Sequence, residues 1–243
     1  MKIDASVHGH HISQQFNLEL EEIKSSMLEM GGLVEKQLAD AVAAIISADS
    51  ELGDTVRAND DSVNAMQVSL DEACNRILAR RQPAASDLRL VLGIIKAVND
   101  LERIGDESAK IARLAVDLSD QGESSQGYIE IRHIGSRVRE MVNMALDAFA
   151  RYDVDAALAV AKEDVNVDME YRTAMREMVT YMIEDPRSIS RVLNIIWALR
   201  ALERVGDHAK NIAEHVVYMV MGADVRHASL SNMEAKVNRT MDR

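Results

Sequence analysis

The sequence predicts an all-α protein built as two tandem three-helix bundles related by internal duplication. Three observations lead there: a long self-similarity, apolar residues that step by three and four, and a composition unsuited to sheets. Of 243 residues 47% are hydrophobic, yet only 3% are aromatic and two are proline. Strands favour aromatic and β-branched residues. Long helices exclude proline from their interiors.

The self-similarity is direct. LERIGD at 101–106 returns as LERVGD at 202–207, and 91–112 lies over 192–213 at an offset of 101. Upstream, Asp49, Asp60 and Val63 lie over Asp153, Asp164 and Val167 at an offset of 104. The three-residue difference falls in a connector, RRQPAASD in one copy and EDPRS in the other, where Pro83 and Pro186 mark the break. The repeats run over 17–121 and 126–221. Their join, QGESSQG at 121–127, has the composition of an exposed linker. Residues 1–16 read as a flexible N-terminal segment and 222–243 as a C-terminal tail without internal pattern.

Each repeat resolves into three helices. The first in repeat 1 is marked by Leu20, Ile23, Met27, Met30, Val34, Leu38, Ala41 and Ile45. The second runs from about 52 to 78 on Val56, Val63, Met66, Leu70 and Ile77. The third begins near Ser86, read as its N-cap, and reaches about 118. Repeat 2 shows the same patterns near 128–151, 155–182 and 188–221, and no strand alternation or hairpin signal interrupts them.

Forty acidic against 28 basic residues give a net charge of −12. That balance disfavours nucleic acid and anionic membrane as main partners. The single Cys74 excludes an intrachain disulfide, and a free thiol fits the cytosol. No stretch approaches the ~18 apolar residues of a membrane span, and no signal-peptide pattern is visible. A soluble, cytoplasmic chain with no integral membrane segment is therefore expected.

The third helix of each repeat carries the chemistry. Its stripe of Leu88, Leu92, Ile95 and Asn99 leads to Glu102 and Asp106, and in the second copy Ile189, Leu193, Ile196 and Arg200 lead to Glu203 and Asp207, a face expected to lie close to a neighbouring helix. Acids four apart project from one helix face, where like charges repel. The second helices offer Asp60 with Asn64, and Asp164 with Asp168, at the same spacing. With the two helices antiparallel, each repeat gathers four oxygen-bearing side chains. Oxygen-only clusters suit divalent ions such as magnesium, manganese, calcium or iron. The spacing leaves a second reading open: a solvated acidic face paired with lysine, as Asp106 and Lys110 at i, i+4 would permit. Gly105 and Gly206 inside these motifs point either to a ligand or backbone in close approach, or to ordinary tight helix packing.

Other candidates are weaker. His8, His10 and His11 fall in the terminal segment. Glu130 and His133 form a single Glu-x-x-His, whereas a four-helix di-iron site needs two. His208 and His215 flank the second acid pair without counterparts in repeat 1, and Cys74 reads as a core residue. No phosphate-cradling glycine loop, nucleophile elbow or zinc-protease motif is present. The chain is thus expected to be a binding or regulatory protein and not an enzyme.

Two tandem three-helix repeats, each with Glu-x-x-x-Asp on the third helix and Asp-x-x-x-Asp-like spacing on the second, resemble the PhoU family. HHIS, Phe16 and MGGLVEKQLADA (30–41) at the start strengthen the likeness, which covers about residues 10 to 221. The resemblance implies a cytoplasmic metal-binding regulator, a homo-oligomer and most simply a homodimer, that negatively controls the phosphate-starvation response and modulates high-affinity phosphate uptake. Its implied partners are the transporter ATPase subunit PstB and the sensor histidine kinase PhoR. The implied metal ligands are Asp60, Glu102, Asp106, Asp164, Asp168, Glu203 and Asp207, with Asn64 at a place where an acid is usual. The ions would be Mg, Mn, Fe or Zn, and the first site, short of one charge, is expected to bind metal more weakly or to hold fewer ions. The rival expectations are a carboxylate-bridged metalloenzyme and a metal-free helical scaffold.

Overall fold

The computed structural model describes residues 14–119, 128–226 and 230–241. Among them the chain forms seven α-helices: α1 (Gln14–Ser47), α2 (Ser50–Arg81), α3 (Ala85–Ser119), α4 (Tyr128–Arg151), α5 (Val154–Glu184), α6 (Ile189–Met221) and α7 (Leu230–Met241). No strand occurs among the described residues. The two three-helix repeats are α1–α3 and α4–α6. The linker at 121–127 and the three N-terminal histidines lie outside the described residues. Helix α1 starts at Gln14, ahead of the expected Asn17. The stretch after Gly222, which showed no pattern, contains α7, whose Lys162–Glu234 ion pair (2.7 Å) ties it to α5.

Local chemistry explains the element ends. Asp49 and Asp153, matched in the duplication, are N-caps. Asp49 accepts from Leu52 N at 2.9 Å, and Asp153 accepts from Asp155 N and Ala156 N at 3.0 Å. Ahead of them Ala48 and Tyr152 both take left-handed backbone, φ 53° and 55°, so the same tight corner is built twice. Helix α3 starts at Ala85, itself at φ 47°, which puts Ser86 in the first turn instead of at the cap. Gly222 at φ 68° ends α6, its N–H donating to Tyr218 O at 2.8 Å.

The helices stack in two layers. Helices α3 and α6 pack together at the centre, flanked by α2 and α5, while α1 and α4 lie behind and touch each other. Both inter-repeat pairs are antiparallel. In the rear layer Lys24 reaches Ala150 O and Asn143 reaches Glu35. In the front layer Arg89 reaches Met219 O, and Arg204 reaches Glu107. A pseudo-twofold axis shows in reciprocal contacts: Gly31 sits against Leu146, and its counterpart Gly135 sits against Val42, the counterpart of Leu146. The expected stripe residues are buried, among them Met27, Met30, Val34, Leu38, Val56, Val63 and Ile77. Cys74 is fully buried, and burial pushes its thiol up to about 11, as befits a core residue.

Candidate functional site

The fold places both acid pairs on the front layer. Gln67 Nε2 donates to Asn99 Oδ1 (3.1 Å) between α2 and α3, confirming the antiparallel packing that sets Asp60 opposite Glu102 and Asp106. On α5 and α6, Lys210 reaches Asp164, and Arg200 lies over the Tyr171 ring, which gives the same register. Because α3 and α6 are themselves antiparallel, the two clusters stand on either side of their seam.

The acids are less deeply placed than the sequence suggested. Of the eight residues only Asp164 is buried. Asp60, Asn64, Glu102, Asp106, Asp168 and Glu203 are half-buried, and Asp207 stands on the exposed rim. The apolar residues that lead to the acids along the same face are not core either: Leu88, Ile189 and Leu193 are exposed and Leu92, Ile95 and Ile196 half-buried, because the buried faces of α3 and α6 follow other residues, such as Val91, Ile94, Val98, Ile195 and Leu199. Burial, then repulsion from Asp106, raises Glu102 above its ordinary 4.5. Burial, then Asp207, does the same to Glu203. The protein mass around Asp207, then Asp164 and Asp168, raises that carboxyl too. Burial is the larger cause at all three, and the neighbouring carboxylates add to it.

The lysine pairing offered by the alternative reading does not form. Lys110 bonds Glu107 (2.9 Å) and not Asp106. Arg103, next to Glu102 in the chain, reaches back weakly to Glu102 (3.6 Å) and Asp106 (3.9 Å). Its counterpart Arg204 crosses the seam to Glu107 (3.0 Å). At Gly105 a Cβ would lie 3.3 Å from Gln37 Oε1 and Val63 Cγ1 and 3.4 Å from Asp60 Oδ1, a tight fit against side chains of α1 and α2. At Gly206 the nearest atoms stand at an ordinary 3.6 Å.

Four residues that sequence reasoning passed over shape this face. Gln37 on α1, 4% exposed, donates its Nε2 to Asp60 Oδ1 (2.9 Å), while its buried Oε1 has no partner. Such an orphan oxygen costs about 1–3 kcal/mol. Its signal was a polar side chain beside the apolar stripe of α1. Lys210 Nζ donates to Asp164 Oδ2 (2.7 Å) and is held charged. Asp100 on α3 accepts from His208 Nδ1 (2.9 Å), His215 Nε2 (2.9 Å) and Asn211 Nδ2 (3.0 Å) on α6. Burial raises this carboxyl, but the three donors outweigh it and hold it below its usual range. Both histidines are thus committed to clasping the repeats together. Glu214, next to them, is pushed up to about 7 by burial. Around these groups lies a polar cleft of about 690 Å³, whose Lys96, Arg204, Lys210 and Arg226 stand among Asp100, Asp207 and Glu214.

The donor set fits a hard cation in part. The raised carboxyls of Glu102, Glu203 and Asp207 and two buried unpaired oxygens, Gln37 Oε1 and Glu203 Oε2, suit an oxygen-coordinated ion. Among the described residues, however, no three His, Cys, Asp or Glu side chains converge as a finished coordination set. Glu130 and His133 line a separate cavity of about 400 Å³ with Glu170 and Glu177, where Glu177 is raised by its hydrogen bond to Glu130.

An all-helical, internally duplicated protein with an acid cluster in each bundle is the class this fold and site define. The PhoU domain model matches it twice, over residues 27–115 and 131–216, and the chain belongs to the PhoU family. It is 65% identical over 228 residues to a protein of Pseudomonas aeruginosa named phosphate-specific transport system accessory protein PhoU homolog, covering 94% of each chain. It is 46% identical to the Escherichia coli phosphate-specific transport system accessory protein PhoU, covering 89% of this chain and 90% of the other. Among solved structures, the crystal structure of PhoU from Pseudomonas aeruginosa superposes with a TM-score of 0.84 at 65% identity, covering 86% of this chain and 100% of that one. The phosphate transport system regulatory protein PhoU from Streptococcus pneumoniae gives 0.80 at 30% identity, covering 86% and 99%. No helix among the described residues is long and apolar enough to cross a membrane.

Proposed function

We propose that this chain is an accessory regulator of a phosphate-specific transport system, acting through protein contacts and not through catalysis. The 65% identity across 94% of both chains to a protein named for that role carries the reading. The finer parts are negative control of the phosphate-starvation response, contact with the transporter ATPase PstB and the sensor kinase PhoR, a cytoplasmic location and a homodimeric state. An exposed apolar row on α6, Ile189, Leu193 and Trp197 (62% exposed), supports a role in protein contacts, since a tryptophan so placed is a strong anchor for a partner. Deleting the gene is expected to release alkaline phosphatase in phosphate-rich medium; continued repression refutes negative control. Pull-downs at high and low phosphate, probed for PstB and PhoR, test the partners.

The same reading gives the acid clusters a divalent or iron-type ion each, held by Asp60, Asn64, Glu102 and Asp106 in repeat 1 and by Asp164, Asp168, Glu203 and Asp207 in repeat 2. The raised carboxyls support it. A metal-free face is favoured instead by the Lys210–Asp164 pair. Elemental analysis after chelator-free purification separates the two. Bound metal is expected to fall when Glu102, Asp106, Glu203 and Asp207 all become alanine, and equal metal in both proteins defeats the cation.

A further inference from the structure

The two acid clusters occupy equivalent places but are neutralised differently. In repeat 2, Lys210 stands 2.7 Å from Asp164, Arg200 stands 2.7 Å from Glu203, and Arg172 stands 3.8 Å from Asp168. The positions equivalent to these three cations in repeat 1 hold Ala109, Asn99 and Val68. Among the described residues only Arg103 forms an ion pair with the first cluster, from a side chain 58% exposed. Set against these partners, three acids of repeat 1 leave 3 − 1 = 2 uncompensated charges, and four acids of repeat 2 leave 4 − 3 = 1. The cluster with fewer carboxylates is the more negative one.

Gln37 adds a second difference. Its place in repeat 2 is taken by Met141, which packs near Gly206 as Gln37 packs near Gly105. A buried amide at the wall of the acid cluster, with one end unpartnered, is not explained by core packing, because methionine fills the same place in the other copy. If the amide turns over, its oxygen replaces Nε2 at 2.9 Å from Asp60 Oδ1. Two oxygens sharing an edge of an octahedral shell at ~2.1 Å from a small divalent ion are roughly 3.0 Å apart.

We propose that the repeat 1 cluster, completed by the Gln37 amide oxygen, is the tighter divalent-cation site, and that in repeat 2 the Lys210 ammonium occupies the ion's place and must be displaced. This rests on the cation reading above and reverses the order that the acid count alone suggests. A dication entering repeat 2 competes with a resident charge, whereas one entering repeat 1 relieves repulsion and partners an idle amide oxygen.

The test is titration of the full chain with Mn²⁺, following free ion by electron paramagnetic resonance. Two classes of site are expected. Glu102→Gln with Asp106→Asn removes the tighter class, and Glu203→Gln with Asp207→Asn removes the weaker. Gln37→Met, matched in volume to Met141, weakens the tighter class tenfold or more, and Gln37→Glu restores it. Lys210→Met tightens the weaker class at least tenfold. Mn²⁺ bound first in repeat 2, or affinities unmoved by both Gln37→Met and Lys210→Met, overturns the inference and leaves the cation reading standing. Wild-type protein that binds no Mn²⁺ below millimolar concentration overturns both. Should Gln37→Met unfold, as circular dichroism would show, the Lys210→Met titration decides alone.

Discussion

In repeat 1, α2 presents Gln67, Val68 and Asp71 where α5 of repeat 2 presents Tyr171, Arg172 and Met175. Behind them the two bundles match closely: Val34 with Val138, Val63 with Val167, Ala41 with Ala145, all buried. Two copies of one bundle thus keep what packing demands and differ where side chains meet solvent or the other copy. The seam differs in the same way. Asp100 clasps three donors of α6, while its counterpart on α6, Ala201, is a small buried residue, and the counterparts of His208 and His215 are Glu107 and Leu114. The pseudo-twofold of the backbone is not a twofold of the chemistry.

The largest expected effect breaks this one-sided clasp. Asp100→Ala strands two histidines and an asparagine in the seam and is expected to lower stability by about 3 kcal/mol. Urea denaturation measures it. A loss under 1 kcal/mol would mean that the clasp adds little to the other contacts that hold the repeats together. On the opposite side Ala201→Asp would meet Glu107, Lys110 and Leu114 in place of His208, Asn211 and His215, and is not expected to rebuild the clasp.

Glu214 sharpens the comparison through pH, since the equivalent position in repeat 1 is Arg113. Burial lifts Glu214 from 4.5 to about 7, with Lys210 opposing. Between those values the folded chain holds a proton that the unfolded chain has released, so stability falls as pH rises through the window. Glu214→Gln removes the penalty. A gain of about 2 kcal/mol is expected at pH 8 and none at pH 4, below the unfolded value. Equal gains at both pH values would point to packing and not to charge.

The smallest effect concerns Gly53, whose counterpart is Ala157. A Cβ at Gly53 would stand 2.9 Å from Ala112 O, a backbone atom that cannot swing away. Gly53→Ala gains helix propensity but forces α2 off α3, for a net loss of about 1 kcal/mol. Ala157→Gly in repeat 2 should lose at least as much, through helix propensity and the loss of a buried methyl together. A stabilised Gly53→Ala protein would show that the α2–α3 spacing is soft.

Much of this was legible in the chain itself. Helices are local, so a step of three and four placed α4 to the residue and the others to within a few residues at each end. Self-similarity revealed the duplication, and Asp49 and Asp153 stood out because a cap is set by its immediate neighbours. The acid pairs were found because i, i+4 spacing is also local. Gln37, Asp100 and Lys210 were not, because each acts on a residue at least 23 positions away.

The sequence by itself determined the class, the six long helices, the twofold repetition and the eight acid-motif positions, since these depend on interactions within a few turns of one helix. Only the tertiary structure decided which cations reach which acids, that both histidines serve the seam, and that a glutamine stands at one cluster where a methionine stands at the other. Those outcomes depend on distances between helices far apart in the chain, and a charge exerts its force through space without regard to where it sits in the sequence.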